Sequence, residues 1–467
     1  MSALPSFNNY LTPFLLAEAP SESYTKAVVA SLLVTAAIIF ILSLLLGELC
    51  IRLNLPTVLG DLAVGILLGG SVSSILIFTN VDTQANDSLL KLLGAITGTE
   101  PATMLRAYSF QMREFINESA KIGLLTLLFV TGLESDLPEL IQVGTQAATV
   151  AITGVLLPLT LGAIALITIF DVPTLPALFA GAALAATSIG ITAKVLQDIG
   201  HLRSPEGQII LGAAILDDIL GIVVLAIALS LVETGSIEFT NIISLLFSAT
   251  IFVIVAVLLN RYLCPVLTPI IENLQNPAAL MLIAVIFLNL MAFTAIGIGL
   301  EALLGAFAAG LVLGGMSIKD RLMELFEPFI YIYTTVFFVT IGASVDLSVL
   351  NPLVPANREG LTIAACLIAI AILGKIIAGF VTFTDKPINR LAIGVGMIPR
   401  GEVGLVFAGL GASTGVLSES LDASIIVMVI VTTIIAPLLL KSVFPPATRE
   451  IMESAEAETI EAMGEQL

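Results

Sequence analysis

Charge is what this sequence has least of. Only 12% of its 467 residues are Asp, Glu, Lys or Arg, and 58% are hydrophobic. A soluble domain carries roughly 25% charged residues, so a soluble globular chain is excluded. Basic residues are the scarcer sign, 18 against 36 acidic ones, for a net charge of −18. Nucleic-acid binding rests on neutralising phosphates with Lys and Arg, and so acidic a chain is not built for it. Cys50, Cys264 and Cys366 fall in or beside apolar runs without paired spacing, which predicts neither a disulfide framework nor a metal centre. The single histidine, His201, lies in a loop. Its titration range would suit a pH sensor, against the plainer reading of a loop residue. The acidic tail 444–467 is too small for a nucleotide-binding or gating domain, and no cofactor and no enzymatic activity are expected. No cleavable signal is expected in the N-terminal segment 1–23, and the first long apolar run, beginning near Thr25, reads as a true span.

What the chain has instead is apolar segments of spanning or near-spanning length. They fall at about 24–47, 56–78, 117–134, 147–170, 175–195, 206–231, 240–261, 277–299, 301–315, 326–345, 360–383, 390–413 and 421–443. The fold class is therefore an all-α polytopic membrane protein of about 13 transmembrane helices, occupying 24–443, with an outer insert at about 80–117. Placing the N-terminus outside leaves ten Lys and Arg in the inner loops and tail against six outside, which satisfies the positive-inside bias. LGDLAVGILLGG (59–70) matches LGAFAAGLVLGG (304–315) at seven of twelve positions, and FVTGLESDL (129–137) resembles FVTIGASVDL (338–347). The first pair lies on spans two and nine, the second on spans three and ten. An offset of seven spans is odd, so the two halves face opposite ways across the membrane. Inverted repeats of this kind belong to secondary transporters, with the ion site near the midplane between them.

Asp217 and Asp218 sit inside an otherwise uncharged apolar run from Gly207 to Leu231. One carboxylate at the centre of a bilayer costs several kcal/mol, so two side by side imply proton or cation handling. Counting about 1.5 Å of rise per residue places them roughly 17 Å into span six. On the same scale Lys375 lies roughly 12 Å into span eleven, Arg400 and Glu402 roughly 15–18 Å into span twelve, and Thr187 and Ser188 roughly 12 Å into span five. All share one layer. Span five reads AATSIGITAK and span twelve GVGMIPRGEVG, and both invite a break where helix propensity should be highest. Pro399 removes a backbone donor, and unwound backbone at membrane depth is tolerated only against protein or a water-filled cavity. Two crossed, discontinuous helices follow, with Glu402 balancing exposed N-terminal ends and Arg400 exposed C-terminal ends.

Each residue also has a plainer reading. Asp217 could form a purely structural ion pair with Lys375, and Lys375 could snorkel to the surface. Thr187 and Ser188 could bond back to their own helix. Arg400 and Glu402 read as structural rather than reactive. Asp61 either lines an inner funnel or is an ordinary interface acid, while Glu134 and Asp136 are boundary charges closing span three.

TSIGITAKVLQDIG (187–200), ILDDILGIVVLA (215–226), LPTVLGDLAVGILLG (55–69), LLFVTGLESDL (127–137), Lys375 in ILGKIIAG and PRGEVGLVFAG (399–409) together resemble the cation/proton antiporter-2 family. The resemblance covers about residues 25–443, is specifically to the two-aspartate Na⁺/H⁺ exchangers, and points to a cyanobacterial chain. It implies a homodimer in which a core, about 147–231 and 360–443, moves against dimerisation and scaffold helices at about 24–78 and 240–345. It implies Na⁺ bound at Asp218 with Thr187, Ser188 and Asp217 at the site, Asp217 paired with Lys375, and Arg400 and Glu402 stabilising the crossing. Na⁺, Li⁺, H⁺ and possible K⁺ are the implied ions, and plasma or thylakoid membrane the implied location. More than one proton per Na⁺, and hence electrogenic exchange, is the expectation. K⁺/H⁺ exchange is the alternative on the same fold. A cation channel, a transporter-derived sensor or an organic-anion symporter are alternatives of other classes.

Overall fold

The computed structural model describes residues 22–53, 55–76, 86–135, 137–233, 239–265, 268–269, 276–344, 353, 355–383, 387–400, 404, 407, 411 and 415–444. These residues are helical throughout, with no strand among them. In chain order the helices are α1 (Glu22–Arg52), α2 (Val58–Leu68), α3 (Asp87–Thr97), α4 (Pro101–Phe110), α5 (Asn117–Glu134), α6 (Leu137–Gln142), α7 (Gly144–Ile169), α8 (Thr174–Ala183) and α9 (Ile189–Asp198). They continue as α10 (Pro205–Glu233), α11 (Phe239–Leu258), α12 (Pro277–Gly297), α13 (Ala302–Gly314), α14 (Lys319–Phe329), α15 (Thr335–Ala343), α16 (Pro355–Phe380), α17 (Arg390–Gly396) and α18 (Glu419–Val443).

Nine helical stretches among the described residues are long and apolar enough to cross a bilayer, and Val58–Leu68, Thr174–Ala183 and Ala302–Gly314 are shorter apolar helices. Every span expected from the sequence has a helix at its position, but three boundaries move. Span two is helical only over Val58–Leu68, because Gly69 and Gly70 follow and the chain turns through Ser74 at φ 53°. Span three is the end of a 34-residue helical stretch that begins at Pro101. Pro101 takes the first helical position, where its missing N–H costs nothing, and a π-helical turn at Gln111–Ile116 joins α4 to α5. Span ten begins at Lys319 rather than near 326, since the charged stretch KDRLMELFEPF is helical and buries Leu322 and Phe326 on one face.

Over its described residues the insert expected at about 80–117 contains a helical pair, α3 and α4, packed on α1. Asn86 caps α3, and its Nδ2 donates to Ser73 O. Thr99 Oγ1 donates to Ser23 O, and the Tyr108 hydroxyl to Ile75 O. The insert is thus fastened to the ends of α1 and α2.

The internal repeat is visible as helix packing. A Cβ on Gly65 of α2 would collide with Val339 O of α15, and one on Gly342 of α15 with Leu62 O of α2. Likewise a Cβ on Gly310 of α13 would collide with Phe129 O of α5, and one on Gly132 of α5 with Phe307 O of α13. The two contacts are related by the repeat, each joining a helix of one half to a helix of the other, and small residues are what allow helix backbones to approach so closely in a membrane. Gly310→Val is therefore expected to destabilise the protein by about 2 kcal/mol or more, read as a lower Tm in detergent. Gly47→Ala, at a glycine with open space around its Cβ position, should leave Tm unchanged.

The helices sort into two panels. One packs α7 against α8, α10 and α16, and α16 against α17 and α18. The other packs α2 against α1 and α15, and α13 against α5 and α12. Between the panels, α9 touches α5 and α2, and α18 touches α2.

Candidate functional site: a buried ion pair at the crossing of two interrupted helices

Thr, Ser and Gly in the AATSIGIT stretch give span five its break. α8 ends at Ala183 and α9 starts at Ile189, with the non-helical Ser188 (ψ 102°) at its N-cap. In span twelve α17 ends at Gly396, and Met397 to Arg400 leave the helix ahead of and through Pro399. The breaks cross and bond to each other. Ser188 N donates to Pro399 O at 2.8 Å. Thr187 Oγ1 donates to Met397 O at 3.2 Å, and Thr192 Oγ1 to Gly396 O at 2.9 Å. Thr187 therefore bonds across the crossing and not back to its own helix, and its oxygen keeps lone pairs for another partner.

Arg400 is fully buried. Its Nη1 donates to Ala185 O, at 2.9 Å, and to Ala186 O, the carbonyls released where α8 stops. A guanidinium there meets the negative end of the α8 dipole. Thr433 Oγ1 of α18 donates to Arg400 O at 2.6 Å, holding the segment from the far side. Glu402 lies outside the described residues, as does Asp136.

Asp217 and Lys375 are both completely buried, and Lys375 Nζ lies 3.2 Å from Asp217 Oδ2 and 3.3 Å from Oδ1. The lysine is 0% exposed, which rules out snorkelling to the surface. Room for its ammonium comes from Gly154 on α7, where a Cβ would stand 3.1 Å from Nζ. Asp218, the next residue on α10, keeps 8% exposure against 0% for Asp217. Lys375 feels Asp217, Asp218 and Arg400 electrostatically, so two carboxyl and two basic side chains share one buried cluster.

Thr192, Thr433 and Gly154 were not legible as site residues. Thr192 belongs to the TSIGIT motif, but its turn of helix after the break gave no reason to single it out. Thr433 and Gly154 act through packing between distant helices, which no local pattern encodes.

Outside this layer two cavities open between the panels. One, of about 490 Å³, is lined by Glu134, Lys194, Asp198, Asp320, Glu324 and Glu327 among others. Glu134 Oε1 accepts from Gln197 Nε2 at 3.1 Å, so this boundary charge also ties α5 to α9. The second, of about 710 Å³, is lined by Asp61, Ser43, Thr57, Lys194, Thr334 and Thr335 among others. Asp61 thus lines a cavity. Lys194 and Asp198 pair at 2.9 Å, and Thr57 Oγ1 donates to Asp198 Oδ2 at 2.8 Å. His201 stacks its ring on Phe444 at 4.4 Å between centroids. No group of three or more His, Cys, Asp or Glu among the described residues is arranged to hold a metal.

Residues 36–444 match the family described as sodium/hydrogen exchanger, transmembrane. The chain is 50% identical over 424 residues to the high-affinity Na⁺/H⁺ antiporter NhaS3 of Synechocystis sp., covering 91% of this chain and 92% of that protein. It is 31% identical over 413 residues to the Na⁺/H⁺-K⁺ antiporter GerN of Bacillus cereus, covering 87% and 95%. The fold resembles that of the sodium proton antiporter MjNhaP1 from Methanocaldococcus jannaschii, with a TM-score of 0.59 at 16% identity over 88% of this chain and 96% of that one. The architecture, with its repeats and crossed interrupted helices, is that of the sodium/proton antiporter fold, and the chain is an integral, multi-pass membrane protein. It belongs to the sodium/hydrogen exchanger family of transporters.

Proposed function

We propose that the protein is a secondary active antiporter that exchanges Na⁺, and Li⁺, for H⁺ by alternating access, with ion and protons competing for the Asp217–Asp218 pair. The observation that carries this reading is the buried Lys375–Asp217 ion pair beside the less enclosed Asp218. Asp218 holds the cation, with oxygen from Thr187, Ser188 and the carbonyls freed by the two breaks. Asp217 holds Lys375. When Na⁺ binds, Asp217 turns toward it, the ion pair opens and Lys375 releases a proton. An empty, unprotonated pair of carboxylates is costly to carry across the membrane core, and this limits leak. Each Na⁺ exchanges for more than one proton, which makes the cycle electrogenic.

The panel of α7–α10 and α16–α18 is the moving core, and the panel of α1, α2, α5 and α12–α15 is the scaffold on which two copies dimerise. The face bearing Arg52 and Lys194 is cytoplasmic and the N-terminus lies outside. The membrane is a bacterial plasma membrane or, in a cyanobacterium, a thylakoid. Arg400 and Glu402 keep the crossing together through the cycle.

Proteoliposomes with an imposed pH gradient test the assignment. Na⁺ or Li⁺ is expected to collapse the gradient at concentrations where K⁺ does not. An equal response to K⁺ alone would move the protein to K⁺/H⁺ exchange, and conductive flux without counterflow to the channel reading.

A further inference from the structure

We propose that Asp61, with the hydroxyls of Ser43, Thr334 and Thr335, forms a second monovalent-cation site that holds Na⁺ in transit between one membrane face and Asp218. All four residues line the same 710 Å³ cavity. The hydroxyls of Ser43 and Thr335 lie beside the Asp61 carboxylate. Ser43 and Thr334 are 8% and 3% exposed, and their hydroxyls have no hydrogen-bond partner of acceptable geometry. Other buried hydroxyls in the spans bond back to a carbonyl of their own helix, as Thr126, Thr131 and Thr432 do. A buried polar atom left unpaired calls for a water or an ion, and with Ser43 and Thr335 beside the carboxylate and the unpaired Thr334 hydroxyl on the wall of the same cavity, the oxygens are of the kind hard cations take. One carboxylate supplies a single negative charge, which matches a monovalent ion. A divalent ion would want more. The nearby ammonium of Lys194 is already matched by Asp198.

The inverted repeat supplies an internal control. The glycine contacts pair α2 with α13, α1 with α12, and α15 with α5, residue by residue. In that register Ser43 corresponds to Leu288, Asp61 to Ala306, Thr334 to Leu124 and Thr335 to Leu125. The backbone frame is repeated, but the oxygens are present at one end only. A residue set kept merely for packing would have no reason to be polar on one side and aliphatic on its mate. The site therefore favours cation capture from the face that bears Arg52 and Lys194.

The test compares Na⁺ KM from each face in oriented vesicles. Asp61→Asn is expected to raise KM about tenfold from the Arg52–Lys194 face, the loss of about one strong ligand, while KM from the other face stays within about twofold. Asp61→Glu should restore most of the loss, and Ser43→Ala with Thr334→Val should reproduce part of it. Equal changes at both faces, or none, would overturn the proposal. A second measurement does not rest on the exchange reading: radiolabelled Na⁺ binding to purified Asp218→Asn protein. Saturable binding that disappears when Asp61→Asn or the paired hydroxyl substitutions are added supports the site. Binding that is absent, or indifferent to both, overturns it. Wild-type vesicles that fail to exchange would instead overturn the proposed function and leave the binding result standing.

Discussion

Asp218→Asn is expected to abolish Na⁺-dependent proton flux in proteoliposomes while the protein still purifies as a folded species. Asn keeps the shape of the side chain and removes its charge. A unit charge about 4 Å from a cation is worth about 4 kcal/mol at an effective dielectric near 20, about a thousandfold in affinity. Asn also carries no proton to return. Both half-cycles therefore fail together, and raising Na⁺ should not rescue the variant. Retained turnover would place the exchange site elsewhere than on α10.

The second large effect concerns the ion pair. Removing one partner of a buried pair leaves the other uncompensated, typically at about 3–5 kcal/mol. Lys375→Ala should therefore unfold at clearly lower temperature than wild type, and Asp217→Asn should also lose stability. The double variant should recover much of the loss, because neither charge is then left alone; a double-mutant cycle on Tm in detergent reads this directly. The transport consequence differs from that of Asp218. Exchange is expected to continue in Asp217→Asn and in the double variant, with less charge moved per cycle, as a membrane-potential dye would report. Undiminished electrogenicity in both would separate Lys375 from proton coupling. Simple additivity of the stability losses would show that the 3.2 Å contact contributes little.

Most of the fold was legible because a bilayer enforces it. Long apolar runs must be helices, the odd offset of LGDLAVGILLGG from LGAFAAGLVLGG must invert the repeat, and Gly, Ser, Thr and Pro at mid-span must break it. The boundaries that moved are those set by polar chain at the membrane surface. Nothing in KDRLMELFEPF marks a helix running into span ten until Leu322 and Phe326 are seen buried. The same holds for α3 and α4, whose place depends on Asn86, Thr99 and Tyr108 reaching partners far along the chain. Within the site, Asp217, Asp218, Lys375 and Arg400 stood out because charge inside a span is costly. Their pairing, across 158 positions of chain, was legible only from their shared depth in the membrane and from the family resemblance. Thr187 had two open readings, which its bond to Met397 O separates, while Ser188 reaches Pro399 O through its backbone N–H. Asp61 was ambiguous for the same reason. The role proposed for it rests on Ser43 and Thr334, which no spacing links to it.

Competition between Na⁺ and protons for Asp218 is the central claim, and proton release on Na⁺ binding measures it without vesicles or gradients. Adding Na⁺ to purified protein in weak buffer, followed with a pH indicator, should release protons saturably from wild type. The release should vanish in Asp218→Asn, and the Na⁺ concentration for half-release should rise about tenfold per unit fall in pH where one proton competes. Na⁺ binding with no proton release, or release that survives in Asp218→Asn, would contradict the account.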